Sequence, residues 1–197
     1  MEKRVSGGRA GTAAAVLIAA LAILASLSLI SVSADPVEVK AEPRPARWAK
    51  PVQAEGLSNC FRVSDTLYRG AQPAREGFIG LQRMGIRTVV NLRSEHSDLQ
   101  LIQGLGLNYV TIPMNAAFPK QEDFRRFLAV ARDPANQPVF VHCQHGSDRT
   151  GTAVALYRIA VEGWDREEAI REMTRGGYGF HGIYFHLKPF IREFPLP

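Results

Sequence analysis

Cysteine is scarce in this chain, with only Cys60 and Cys143 among 197 residues. A scaffold stapled by several disulfides is excluded, and without well-spaced histidines two cysteines make a poor zinc site. An even count admits one disulfide if the chain is exported, but Cys143 has a better use. An excess of charge of one sign is also missing. The net charge is +5, and part of it sits in Lys3, Arg4 and Arg9. Beyond residue 34, 21 basic residues face 18 acidic ones. That is too mild a balance for a nucleic-acid partner, though it suits an anionic substrate such as a phosphate ester. No internal repeat is present. The length and the 46% hydrophobic content fit one domain of ordinary size plus a short appendage.

The appendage is N-terminal. Basic residues precede an apolar run from Ala10 to Ile30, and Ser31-Val32-Ser33-Ala34 leads into Asp35-Pro36. This is the layout of a signal peptide cleaved after Ala34. Roughly 20 apolar residues would also span a bilayer if left uncut, so residues 1–34 are expected to be a signal peptide or an N-terminal membrane anchor. Either way the domain is expected to be exported, periplasmic or extracellular, with anchoring to the inner membrane through residues 10–30 as the alternative. Residues 35–55 carry Pro36, Pro43, Pro45 and Pro51 with few periodic apolar positions, which predicts a Pro-rich linker. The domain is then expected over 56–197.

Within it, 60–63 and 66–69 read as a hairpin about Ser64-Asp65. Helices are expected over 76–84, with Phe78, Ile79 and Leu81 inward, and over 94–103, 121–131, 150–161, 166–175 and 183–193. Apolar strands are expected at 86–92, 108–112 and 138–142. Strands alternating with helices predict a single α/β domain with a mostly parallel central sheet flanked by helices.

One segment concentrates the chemistry: VFVHCQHGSDRTG, Val139 to Gly151. An apolar strand ends at His142, a polar loop runs from Cys143 to Arg149, and a helix is expected from about Thr150. Ligands of parallel sheets bind where strand ends meet helix starts. A thiol is a modest nucleophile at neutral pH, and a helix N-terminus and a guanidinium both favour its thiolate. The loop Gln144, His145, Gly146, Ser147, Asp148, Arg149 can turn its backbone N–H groups inward as an anion-binding nest, with Gly146 easing the turn. Arg149 adds a planar, bidentate clamp on phosphate oxygens. Thr150 can donate its hydroxyl to the thiolate when sulfur leaves, and His142 can orient the loop through its ring N–H. An inert cysteine before a core helix would not explain a charged loop at the end of an apolar strand.

The string HCQHGSDRTG resembles the HCxxGxxRTG signature of the protein-tyrosine-phosphatase superfamily, in its dual-specificity branch. YRGAQP (Tyr68 to Pro73) and VVNLR (Val89 to Arg93) resemble the small bacterial, fungal and plant members. The likeness runs from about Asn59 to the end. It implies a cysteine phosphatase without metal or other cofactor, in which Cys143 forms a phosphocysteine that water then hydrolyses. Phosphorylated protein, inositol phosphate and phospholipid all fit one phosphate nest as substrates. A phosphate-binding module with little turnover is the alternative.

The family's usual acid, an Asp on an upstream loop, is missing here. That region reads IPMNAAFPK, and Asn115 cannot donate as an acid. Asp148 inside the loop resembles the loop Asp of myotubularin-type lipid phosphatases and is one candidate. Glu122 and Asp123 are the others, although acidic residues in a first helical turn also favour the helix by themselves. Asp148 can equally brace the loop. Among weaker signals, Arg93 after the expected strand either lies near the pocket or serves on the surface or as a brace, and Tyr178, Phe180 and His181 in a Gly-rich stretch either line the mouth or pack. Cys60 is a candidate partner for an oxidised Cys143.

Overall fold

The computed structural model describes residues 44–196; the apolar run and the first part of the expected linker lie outside the described residues. Six strands form one sheet: β1 (Lys50–Pro51), β2 (Phe61–Arg62), β3 (Leu67–Gly70), β4 (Thr88–Asn91), β5 (Asn108–Thr111) and β6 (Val139–His142). Their order is β1-β2-β3-β6-β4-β5. The first three pair antiparallel, and β3, β6, β4 and β5 are parallel neighbours. β4 and β6 are buried at every position, as strands covered on both faces must be, which is why they read as unbroken apolar runs rather than as alternation.

Among the described residues six α-helices flank the sheet: α1 (Arg75–Arg83), α2 (Leu99–Ile102), α3 (Gln121–Arg132), α4 (Asp148–Ala160), α5 (Arg166–Arg175) and α6 (Leu187–Glu193). Val89 and Phe140 pack with Phe78 and Leu81 of α1 and Ile102 of α2. Val90, Val139 and Val141 pack with α3, α4, α5 and α6 on the other face. This is the alternation of a pleated strand dividing its side chains between two layers. α4 is buried along nearly its whole length, so it shows no polar stripe.

Residues 44–55 depart from the linker expectation. Trp48 and Ala49 are buried, and β1 adds to the sheet edge beside β2. An apolar pair set among prolines and charges carries no periodicity, and its burial is created by distant partners. The helix expected over 94–103 shrinks to Leu99–Ile102. There the Asn91 side chain accepts from the Arg93 N–H and donates to the His96 carbonyl, holding the chain in a turn. The stretch 183–193 divides into a 3₁₀ turn at Gly182–Tyr184 and α6. α5 matches its expected span, and the Asp165 side chain caps it by accepting from the N–H groups of Glu167 and Glu168.

The register places Gly70, His142 and Asn91 side by side at the C-terminal ends of β3, β6 and β4, with Thr111 of β5 next in line. The loops leaving these four strands therefore open on one edge of the sheet.

Candidate active site

Cys143 follows β6 at that edge and is 3% exposed, at the floor of the loop. Gly146 turns the loop with φ 71°, and a Cβ there would lie 2.5 Å from the Gly70 carbonyl. Only glycine satisfies both the conformation and the approach to β3. α4 begins at Asp148, so Asp148 and Arg149 sit in its first turn rather than in the loop before it. The N-terminus of α4, with its unpaired first-turn amides, thus begins five residues after Cys143.

Arg149 is half-buried. Its Nη1 lies 3.4 Å from both the Leu92 and the Met114 carbonyl oxygens, which follow β4 and β5. The guanidinium is aimed from outside the loop by two other strand ends. The Thr150 hydroxyl is buried with no hydrogen-bond partner among the described residues, including Cys143 Sγ. Its donor is therefore unspent. Gln144 and His145 are exposed at the mouth, while Ser147 is buried and donates to the Tyr178 carbonyl at 2.7 Å.

His142 is fully buried. Its Nε2 meets Asp98 Oδ2 at 3.0 Å, and its Nδ1 lies 3.4 Å from the Cys143 carbonyl. Asp98 also accepts from the Gln72 amide, and its own N–H donates to the Tyr109 hydroxyl. Burial by itself would raise the Asp98 carboxyl. The bond to and charge of His142, with Gln72 and Tyr109, outweigh it and hold the carboxyl below its ordinary value.

A second network lies beneath the loop. Arg69, fully buried on β3, donates to the Gly146 carbonyl and stacks on Tyr178, with its guanidinium carbon 3.7 Å from the ring centre. Burial pulls the Arg69 guanidinium below its ordinary value, against the pull of Tyr178, Glu172 and Cys143. Tyr178 donates to Glu172 Oε1 at 3.0 Å, and burial with the Glu172 charge pushes its hydroxyl up to about 12. Asn59, at φ 51°, donates to the carbonyls of His145 and Tyr178. Asp98, Glu172 and Asn59 escaped sequence reasoning; Arg69 stood within the YRGAQP string but was given no role in the site.

Of the weaker candidates, Tyr178 is buried under the loop, Phe180 is half-buried, and His181 reaches the site. Asp148, 7% exposed, accepts from the His181 backbone N–H at 2.9 Å and pairs with its Nδ1 at 2.7 Å. Glu122 is exposed and Asp123 half-buried in the first turn of α3. Arg93 is half-buried after β4. Phe118, Ile183 and Phe185 are exposed, and a His186–Ala116 hydrogen bond of 2.9 Å joins their two segments. Cys60 and Cys143 are both free thiols in separate core clusters. Burial pushes the Cys60 thiol up to about 11, so little of it is thiolate at neutral pH.

A cysteine at the end of a central parallel strand, a glycine-turned loop and an arginine in the first turn of a buried helix are the arrangement of a cysteine-phosphatase fold. The chain belongs to the family described as DSP-PTPase phosphatase fused to NAD+ kinase, which matches residues 46–183. It is 38% identical over 143 residues to the dual specificity protein phosphatase TpbA of Pseudomonas aeruginosa, strain UCBPP-PA14. That match covers 71% of this chain and spans 63% of the relative's length. The crystal structure of P. aeruginosa TpbA in complex with phosphotyrosine superposes with a TM-score of 0.68 at 31% identity, over 76% of this chain and 91% of that one. The core catalytic domain of the PP-IP phosphatase SIW14 from S. cerevisiae shares the fold, with a TM-score of 0.64 at 22% identity over 70% of this chain and 86% of that one.

Proposed function

We propose that this protein is a cysteine-dependent phosphatase that hydrolyses phosphate monoesters through a phosphocysteine, with aryl phosphates such as phosphotyrosine as the favoured class. The observation that carries it is the placement of Cys143 at the floor of a loop whose far end delivers Arg149 from a helix N-terminus. In the first step Cys143 attacks phosphorus while the amides of Gln144 to Arg149 and the Arg149 guanidinium hold the equatorial oxygens. Those donors act where transition-state charge collects. In the second step water attacks the phosphocysteine, and the unspent Thr150 hydroxyl donates to the departing thiolate. The exposed apolar side chains of Phe118, Ile183 and Phe185 suit the ring of an aryl ester. The relative's complex with phosphotyrosine supports the same class.

The test is hydrolysis of para-nitrophenyl phosphate and a phosphotyrosine peptide with EDTA present, comparing the full chain with Cys143→Ser. Wild-type turnover should fall by about 10⁴-fold or more in the variant. Equal rates in both proteins would remove Cys143 from the mechanism. Inositol phosphates and phospholipids assayed alongside test the other substrate classes.

We further propose that the domain acts outside the cytoplasm, delivered by the basic head and apolar run of residues 1–34 as a cleaved leader or an anchor. Among the described residues no helix is long and apolar enough to cross a membrane. Fractionation of cells expressing the full chain should find the domain in the periplasmic or membrane fraction. Recovery in the cytosol alone would reject export.

A further inference from the structure

The proton donor is the part of the chemistry that the motif leaves open, because the stretch IPMNAAFPK, where the family resemblance places an acid, holds no carboxyl group. Resting on the phosphatase reading above, we propose that His181 is the general acid and base of this site and that Asp148 is its positioning residue.

Three observations carry this. First, Asp148 grips His181 at two points, the backbone N–H at 2.9 Å and the ring Nδ1 at 2.7 Å. An ionised carboxylate only accepts, so Nδ1 carries the hydrogen and Nε2 is the nitrogen left for chemistry. No hydrogen bond among the described residues uses Nε2. Second, the ring is at the mouth. Its side chain is 46% exposed, and the His145 ring lies 5.5 Å from it. His145 lies in the phosphate loop and Asp148 opens α4, so the imidazole lies beside two residues of the Cys143–Arg149 segment. Third, the chain is bent to deliver it. Gly177 and Gly179 have φ of 76° and 77°, and a Cβ on Gly179 would lie 3.3 Å from Ser147 Oγ. The segment is pressed against the loop by a turn that disfavours side chains.

The titratable groups around the ring are Asp148 from α4, His145 from the loop and Tyr184 from the 3₁₀ turn, whose ring centre is 6.4 Å away. His186 lies beyond Tyr184, and Lys188 sits over Phe180. Asp148 is the one anion of this set. It holds the ring in place.

The steps balance. As the Cys143 sulfur bonds to phosphorus and the ester P–O bond breaks, Nε2–H of the imidazolium passes its proton to the departing oxygen. The neutral imidazole then takes a proton from water as that water's oxygen bonds to phosphorus and the S–P bond breaks. The thiolate and the imidazolium are both restored, ready for the next ester. Imidazole exchanges protons between about pH 5 and pH 8, as this double role requires.

The test is His181→Asn, whose side-chain amide can still donate to Asp148 and keep the segment docked. kcat/KM would be measured against pH for phenyl phosphate, whose leaving group needs a proton, and for 2,4-dinitrophenyl phosphate, whose leaving group does not. The expected result is a loss of about 10²-fold or more on phenyl phosphate, with disappearance of the alkaline limb of the pH profile. On the dinitrophenyl ester the loss should stay below about ten-fold, which also shows that the variant is folded. Asp148→Asn should lower kcat/KM on phenyl phosphate but leave an alkaline limb in its pH profile. Equal losses on both esters, or an unchanged pH profile on phenyl phosphate, would overturn the proposal. Wild-type protein that cleaves neither ester would instead defeat the phosphatase reading on which the proposal rests.

Discussion

Arg149→Lys is expected to lower kcat/KM for an aryl phosphate about a thousand-fold while leaving the urea midpoint within experimental error of wild type. The substitution keeps a positive charge at the N-terminus of α4, so the loss would measure geometry rather than net charge. Arg149 Nη1 reaches the carbonyls of Leu92 and Met114, which holds the guanidinium plane against the strand ends. A guanidinium can keep such braces with some N–H groups and present others, side by side, to two phosphate oxygens. An ammonium has three donors on a flexible stem and cannot serve both sets in one plane. Steady-state kinetics on the folded variant decides the matter. A loss below about ten-fold would mean that Arg149 acts as a diffuse charge and that the loop amides alone hold the transition state.

Glu172→Gln should cost about 3–5 kcal/mol of folding stability, the largest single-residue effect expected away from the loop. Glu172 is 2% exposed, and its two oxygens accept from the Ala49 N–H, the Tyr178 hydroxyl, and Nε and Nη2 of Arg158. Glutamine has nearly the same shape but no charge, and its amide nitrogen would face a donor instead of accepting. Arg158, itself 2% exposed, would keep Glu162 as its carboxylate partner and lose the buried one. The damage should also reach the site, because Tyr178 carries Arg69 on its ring and Arg69 holds the Gly146 carbonyl. Urea unfolding gives the stability change, and phosphatase activity at low denaturant gives the second effect. An unchanged midpoint would show that the network is dispensable.

These two predictions divide along the line between what sequence reading reaches and what it misses. Cys143, Arg149 and the loop between them were legible because a strand, a turn and a helix follow one another within thirteen residues. Local spacing is enough to align such a unit. The same holds for α3 and α5, where apolar periodicity and an Asp165 cap act within one helix. Glu172 was not legible, since its donors come from residues 49, 158 and 178 and meet only when the sheet and helices have packed. Asp98 was hidden for a related reason. It lies in a stretch read as helix, and the burial that pairs it with His142 comes from a distant strand. Residues 44–55 looked like linker because β1 is two residues long and its stability is lent by β2. His181 was seen as a mouth residue or packing, and the Asp148 carboxylate 33 residues earlier in the chain is what gives it a defined orientation.

The sheet order has a consequence for how the protein comes into being. β6, the strand that carries the site, is the last strand in chain order among the described residues yet lies between β3 and β4. Until residue 142 has left the ribosome, the hairpin side and the β4–β5 side have no strand to join them. Each half exposes apolar surface that the other cannot cover. Formation of the sheet therefore waits on one late insertion that closes a long loop, a topology associated with slow folding. For a chain proposed to cross a membrane, such a delay is useful, because threading requires an unfolded polypeptide. The phosphate nest, built on the final strand and the helix after it, then forms in the same event that completes the sheet.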